Sequence, residues 1–388
     1  MSALTIASLY LSAVILLTQA AGKRVVMLPG ITKSYFIYNA NIGQALIDLG
    51  HEVWMFMPEY LSNSSLVKFK DIKIVTFGET LGNIEKQIFE DTKIFSDFWE
   101  GKETSLSQHL TTARSCRNFI NKVLADEKFM NNIKILKPEF LVIDKHQFIR
   151  NIFVIPYKLD VPFAVVGTVH DLVTHRVPFS PAVEPRVADR VSNYMGFYDR
   201  LTSTLLTVLD LSYDIFSDRD IVSRIAPEKP YTTISDIILK AEIFIAELDH
   251  ILDYPRPMLP NTKLIGGSSV CEPRPLIGVF KKFVDESANG IVLVSFGSNE
   301  LPFPEHILAK LTSAFENLEF NVIWRVSITS PAPKRILTSE WIPQNDLLGH
   351  TKTKVFVSHC GKTASTRHYI MPCLSSAYLC LATSFTTL

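Results

Sequence analysis

Trp341, Gln344, Asn345 and His359 fall within one stretch, WIPQNDLLGHTKTKVFVSHCG (Trp341 to Gly361), and each suits contact with a nucleotide. An indole gives a flat apolar face on which a base can stack. Gln344 and Asn345 offer amide donors and acceptors, and His359 can donate to an anion. The residue types read as a loop, a short helix, an apolar strand around Lys354 to Val357, and a tight turn. That order places His359 and Gly361 at the carboxyl end of a buried strand, where open α/β sheets bind ligands. A phosphate there meets the free N–H groups and positive dipole end of the next helix. Ser298 closes a second apolar run, GIVLVSFGS, in the same manner.

Elements to hold these residues can be read along the chain. Arg24 to Pro29 reads as a buried strand, and a loop with Gly30, Lys33, Ser34 and Tyr35 follows. Asn39 to Leu49 has its apolar residues Ile42, Ala45, Leu46 and Leu49 at helical spacing, and Gly50 suits the position just past a helix end. Glu52 to Met57 is a second strand, stopped by Pro58. This βαβ unit predicts a parallel, doubly wound sheet. Phe140 to Asp144 and Val161 to Thr168 are further strands, with His170 and His175 just after the second. Tyr198 to Phe216 reads as an amphipathic helix whose Leu201, Leu205, Leu206 and Leu209 are expected to face the core rather than a membrane surface. Ala241 to Glu247 is strand-like, and the proline-rich LDYPRPMLPNTKLIGG closes a first domain. The expected organisation is a domain over 22–267, a linker over 268–275 and a second domain over 276–388. The fold class is α/β, with two Rossmann-like doubly wound domains.

Composition narrows the function. Across 388 residues, 47% are hydrophobic and 11% aromatic, enough for a large core. The 39 Lys and Arg balance 39 Asp and Glu, so no basic field gathers a phosphate backbone and nucleic acid is not an expected partner. Residues 1–21 read as a signal peptide: an apolar run to Leu17, then small residues. The sequon Asn63-Ser64-Ser65 fits a secretory route. Five cysteines show no metal-ligand spacing with histidine, so no zinc site is expected. Gly361-Lys362-Thr363 is no phosphate-binding P-loop, since the required earlier glycine falls on Phe356.

The stretch from Trp341 to Gly361 closely resembles the nucleotide-sugar signature of the animal UDP-glucuronosyltransferase-like UDP-glycosyltransferases. The resemblance runs from about Arg24 to Gly361 and implies a GT-B fold. It implies that Trp341 stacks on uracil, Gln344 sits near the ribose, His359 contacts a phosphate, and Gly361 and the Ser298 turn approach the diphosphate. It implies a UDP-sugar donor as substrate, no bound cofactor or metal, a small lipophilic acceptor, inversion at the anomeric carbon, and an endoplasmic reticulum location, luminal or membrane-associated.

The chain departs from the pattern twice. After Gly361 the acidic residue that holds the ribose hydroxyls falls on Arg367, a cation with no acceptor. No Asp-Gln pair for the sugar and no C-terminal transmembrane helix follow, so the second domain is expected to be incomplete. The second departure is at the catalytic histidine, whose place fifteen residues before Gly50 is taken by Tyr35. Asp144 stands where the family's orienting Asp is expected, and His170 and His175, after the strand ending at Thr168, are the candidate substitute bases. With a pKa of about 10 against about 6.5 for histidine, only about one tyrosine in a thousand is anionic at about pH 7. General-base catalysis is worth about 10²- to 10⁴-fold. Amine or thiol acceptors, nucleophilic without a base, suffer least. The alternative is an impaired or inactive truncated relative that binds acceptor or UDP only.

Overall fold

Short runs of valine, isoleucine and leucine, buried on both faces, are the material of parallel strands. The computed structural model describes residues 22–62, 71–93, 105–145, 147–168, 177–183, 194–216, 220–250, 256–297, 303–359 and 377–380, with positions 97, 100, 102 and 172 between them. Its first sheet contains β1 (Arg24–Leu28), β2 (Glu52–Pro58), β3 (Lys73–Phe77), β4 (Phe140–Asp144), β5 (Phe163–Gly167), β6 (Ile243–Ala246) and β7 (Thr262–Leu264). The strand order is β3-β2-β1-β4-β5-β6-β7, and every neighbouring pair is parallel. The second sheet contains β8 (Ile291–Ser295), β9 (Asn321–Arg325), β10 (Ile336–Ser339), β11 (Thr353–Ser358) and β12 (Ala377–Cys380), in the order β10-β9-β8-β11-β12, again parallel.

Both sheets therefore reverse direction beside their first strand. The chain winds outward through two strands, then crosses to the other side. That leaves a crevice at the carboxyl ends of β1 and β4 in one sheet, and of β8 and β11 in the other. Core packing fixes these edges. Val26, Met27, Leu141 and Ile143 are buried in the first sheet, and Leu293, Val294 and Phe356 in the second. Trp324 of β9 is fully buried, with Phe303 and Phe315 edge-on at 5.8 and 5.1 Å between ring centroids.

Two expectations need correction. The first helix, α1, spans Lys33–Asp48, so Tyr35 sits in its first turn and not in a preceding loop. Phe36 and Tyr38, each 1% exposed, pack that early turn against the sheet, and tertiary burial extends the helix beyond its apolar period. The second correction concerns the helix Phe197–Phe216. Leu201, Leu205 and Leu206 are exposed, whereas Ser203 and Thr207 are buried. Periodicity locates an apolar stripe; it does not say which side of the helix the fold covers. The Leu209 side chain lies outside the described residues. No helix among the described residues is long and apolar enough to cross a membrane.

Candidate functional site

In the second sheet, β8 ends at Ser295 and the chain turns at Gly297, which has φ +101°. A Cβ at Gly297 would lie 2.9 Å from Cε1 and 3.0 Å from Nε2 of His359, so only glycine lets the turn and the imidazole share this space. His359 follows β11 directly. Its ring bonds to the Ser295 backbone, and its Nδ1 is buried without a partner. Burial, and then the charge of Arg325, hold its pKa below the ordinary histidine value; the bond to Ser295 opposes them. At neutral pH the imidazole is neutral, and the fixed positive charge beside it is Arg325.

Arg325 ends β9 and binds three parts of the site. Its Nη1 donates to the Gly297 carbonyl, and its Nε donates to the Glu340 carbonyl at 3.0 Å. Its guanidinium lies over the Trp341 ring, 5.0 Å from the centroid. Trp341 remains 44% exposed, unusual for an indole and apt for a stacking platform. Gln344 opens the short helix Gln344–Leu348, and its Oε1 accepts a bond from Ser295 Oγ at 3.2 Å. Trp341, Gln344 and His359 thus converge on the carboxyl edge of β8, β9 and β11. Asn345 does not join them. Its side chain turns instead to the backbone of Cys271, 2.8 Å from Nδ2 to the carbonyl. Ser298 and Gly361 lie outside the described residues.

The corresponding crevice of the first sheet is acidic and buried. Asp144, at the end of β4, is 0% exposed. Its Oδ2 accepts from Asn39 Nδ2 at 2.5 Å, and the same nitrogen donates to the Tyr35 carbonyl at 2.9 Å. Burial raises the Asp144 pKa to about 8, against the opposing bonds from Asn39 and the Gly30 amide. Burial, then the Asp144 charge, also raises Tyr35 well above the ordinary phenol value, with its hydroxyl bonded to Thr168. Gly30 lies under that ring: a Cβ there would meet Tyr35 Cγ at 2.8 Å. At neutral pH Tyr35 is a neutral phenol and Asp144 is largely protonated. His51 is engaged elsewhere, its Nδ1 accepting from the Lys23 amide at 3.1 Å. His170 and His175 lie outside the described residues.

Sequence reasoning missed Arg325 and Asn39. Arg325 had a signal: it is a cation at the carboxyl end of a strand, directly after a core tryptophan. Asn39 lies four residues after Tyr35, on the same helix face, yet the helix was expected to begin at Asn39 itself.

Two parallel sheets, each reversing direction beside its first strand and each with polar side chains at that reversal, define a GT-B-type α/β protein. Solved structures of the same fold include the spinosyn forosaminyltransferase SpnP, with TM-score 0.56 at 14% identity, covering 94% of this chain and 81% of that one. Medicago truncatula UGT71G1 complexed with UDP-glucose gives TM-score 0.55 at 13% identity, covering 93% and 80%. The family model for UDP-glucoronosyl and UDP-glucosyl transferases matches residues 24–366, and the chain belongs to that family. Mus musculus UDP-glucuronosyltransferase 1A9 is 27% identical over 364 residues, 89% of this chain and 66% of its own length. The chain thus spans just under two thirds of that relative.

Proposed function

We propose that the chain transfers a hexose or glucuronic acid from a UDP-sugar to a small lipophilic acceptor, with inversion. One observation carries this reading. Trp341, Arg325, Gln344, His359 and Gly297 form one connected group at the switch point of the second sheet. In this reading uracil stacks on Trp341, and the amide NH2 of Gln344 donates to the ribose. The diphosphate lies between Gly297, Arg325 and His359. The acceptor's lone pair attacks the anomeric carbon from the face opposite UDP. The bond to the β-phosphate oxygen breaks, and its electron pair leaves on UDP. Fixed positive charge beside that oxygen stabilises the charge that develops there. Ser298 and Gly361 would add backbone contacts to the diphosphate.

The acceptor half supports a narrower class. A neutral Tyr35 and a largely protonated Asp144 leave no strong base among the described residues of that crevice. Amines in their neutral form, which attack through a free lone pair and lose the proton to solvent afterwards, and thiols, already a few per cent ionised at about pH 7, depend least on a base and are therefore the preferred acceptors; alcohols would depend on His170. The same observation favours a second reading, in which the protein binds UDP or acceptor without turnover. The domain division at 22–267, 268–275 and 276–388, and a secretory location reached through residues 1–21, belong to the proposal as well.

Calorimetric titration of UDP into the purified chain tests it, with Trp341→Ala alongside. Micromolar binding weakened at least tenfold in the variant, or about 1.4 kcal/mol, is the expected result. No binding by a folded chain overturns the donor site. Turnover of UDP-glucose or UDP-glucuronate with an amine acceptor separates the transferase from the binding protein.

A further inference from the structure

The segment joining β7 to the helix Gly278–Glu286 is fastened at both ends, by a carboxylate after β6 of the first sheet and by the short helix that carries Gln344 in the second domain. At its start, Ser269 Oγ donates to Glu247 Oε1 at 2.9 Å. Ser268 Oγ approaches the same oxygen at 3.5 Å. Glu247 is 0% exposed and follows β6 at the carboxyl edge of the first sheet. Its backbone N–H and the Tyr38 hydroxyl both donate to the Gly167 carbonyl, at 3.0 and 3.3 Å.

Two residues further on, the fastening passes to the second sheet. Asn345 takes both backbone groups of Cys271, accepting its N–H at 3.3 Å and donating to its carbonyl at 2.8 Å. Asp346 Oδ1 accepts the Arg274 N–H at 3.0 Å. Between the Ser269 and Cys271 anchors stands only Val270, whose side chain packs against the core of the second sheet. Asn345 and Asp346 are the two residues after Gln344, on a helix only five residues long. A shift of Gln344 cannot leave them in place, because the backbone of one helical turn moves as a unit.

We propose that Asn345 and Asp346 are positioning residues that tie the connecting segment to the helix carrying Gln344, so that occupancy of the donor crevice sets the geometry of the joint at Val270. This rests on the donor reading of the second crevice. A joint of one residue between two fixed anchors is the kind of place where a few dihedral angles carry a domain movement. The free Cys271 side chain is exposed and takes no part; only its backbone is held.

Hydrogen exchange at the Cys271 and Arg274 amides reads the clasp directly, on the full chain with and without UDP, with calorimetry confirming occupancy. In the ligand-free protein Asn345→Ala should speed exchange of the Cys271 amide about tenfold, the net worth of a hydrogen bond. Asp346→Ala should do the same at Arg274. UDP should slow both amides in the unaltered chain and lose that effect in Asn345→Ala. In turnover, kcat should fall more than the KM for the UDP-sugar rises. UDP that binds without changing exchange at 271 or 274 overturns the proposal, as does unaltered ligand-free exchange in both variants. UDP that does not bind overturns the donor reading and this proposal with it, and calorimetry tells that case from the others.

Discussion

At the end of β1 the chain faces Asp144 of β4; at the end of β8 it faces His359, just past β11. The strand orders around these two crevices are the same, yet their chemistry is opposite. The second has an arginine, a glycine with φ +101° pressed against an imidazole, and an indole left 44% exposed. The first has a fully buried carboxyl, an asparagine bonded to it, and two tyrosine rings. Parallel topology supplies the crevice and the strand ends. A handful of residues decides the character of each: one is open and cationic, the other closed around a buried carboxyl. The same difference underlies the proposed acceptor class. Burial that suits an uncharged apolar molecule pushes Asp144 toward its protonated form.

The largest expected effect restores what the first crevice lacks. Tyr35→His puts a group of ordinary pKa about 6.5 next to Asp144, with a gain of about 10²- to 10⁴-fold in turnover of an alcohol acceptor. Amine turnover should change far less. The check is initial rate against pH with a phenol and an amine acceptor; equal responses would show that the base is not what limits this crevice. Next in size is a pair of glycine replacements. Gly297→Ala forces a positive φ on alanine and sets Cβ against His359, a strain of about 1–3 kcal/mol. UDP affinity should drop by about tenfold to a hundredfold. Gly30→Ala presses first on the Tyr35 side chain in the other crevice and should leave UDP affinity unchanged, as calorimetry would show.

Much of this was legible in the residues. Continuous apolar runs such as GIVLVS and FLVID give buried parallel strands, and the motif from Trp341 to His359 placed one crevice. Its neighbours were harder to see. Arg325 reaches Gly297, 28 residues away in sequence, and Asp144 meets Asn39 across 105 residues. No local pattern encodes such pairs, because parallel strands bring their ends together only after crossovers. Asn345 reads as a nucleotide contact by type, since an amide suits a base as well as a backbone. Only the path of the connecting segment settles that it holds Cys271. The helix Phe197–Phe216 fails for a related reason: its stripe is clear, and its partner is not in the sequence.

The most direct test of the buried acid is in stability against pH. Asp144 titrates at about 8 in the folded chain and at about 3.9 when unfolded. Between those values the native state holds a proton that the unfolded state has released. Stability from this group is therefore complete below about pH 4 and is lost as pH rises through about 8. Asp144→Asn keeps an oxygen for the Asn39 amide and has nothing to ionise. Its stability relative to the unaltered chain should be flat below about pH 4. It should then rise by at most about 1.4 kcal/mol per pH step and level off above about pH 8. The offset at low pH reports the altered hydrogen bonds; only the slope reports the proton. Denaturant unfolding of both proteins at intervals from pH 4 to 9 measures that slope. Parallel curves would mean that Asp144 is ionised in the folded state, and the two crevices would then differ more in charge, one anionic and one cationic, than the burial of Asp144 implies.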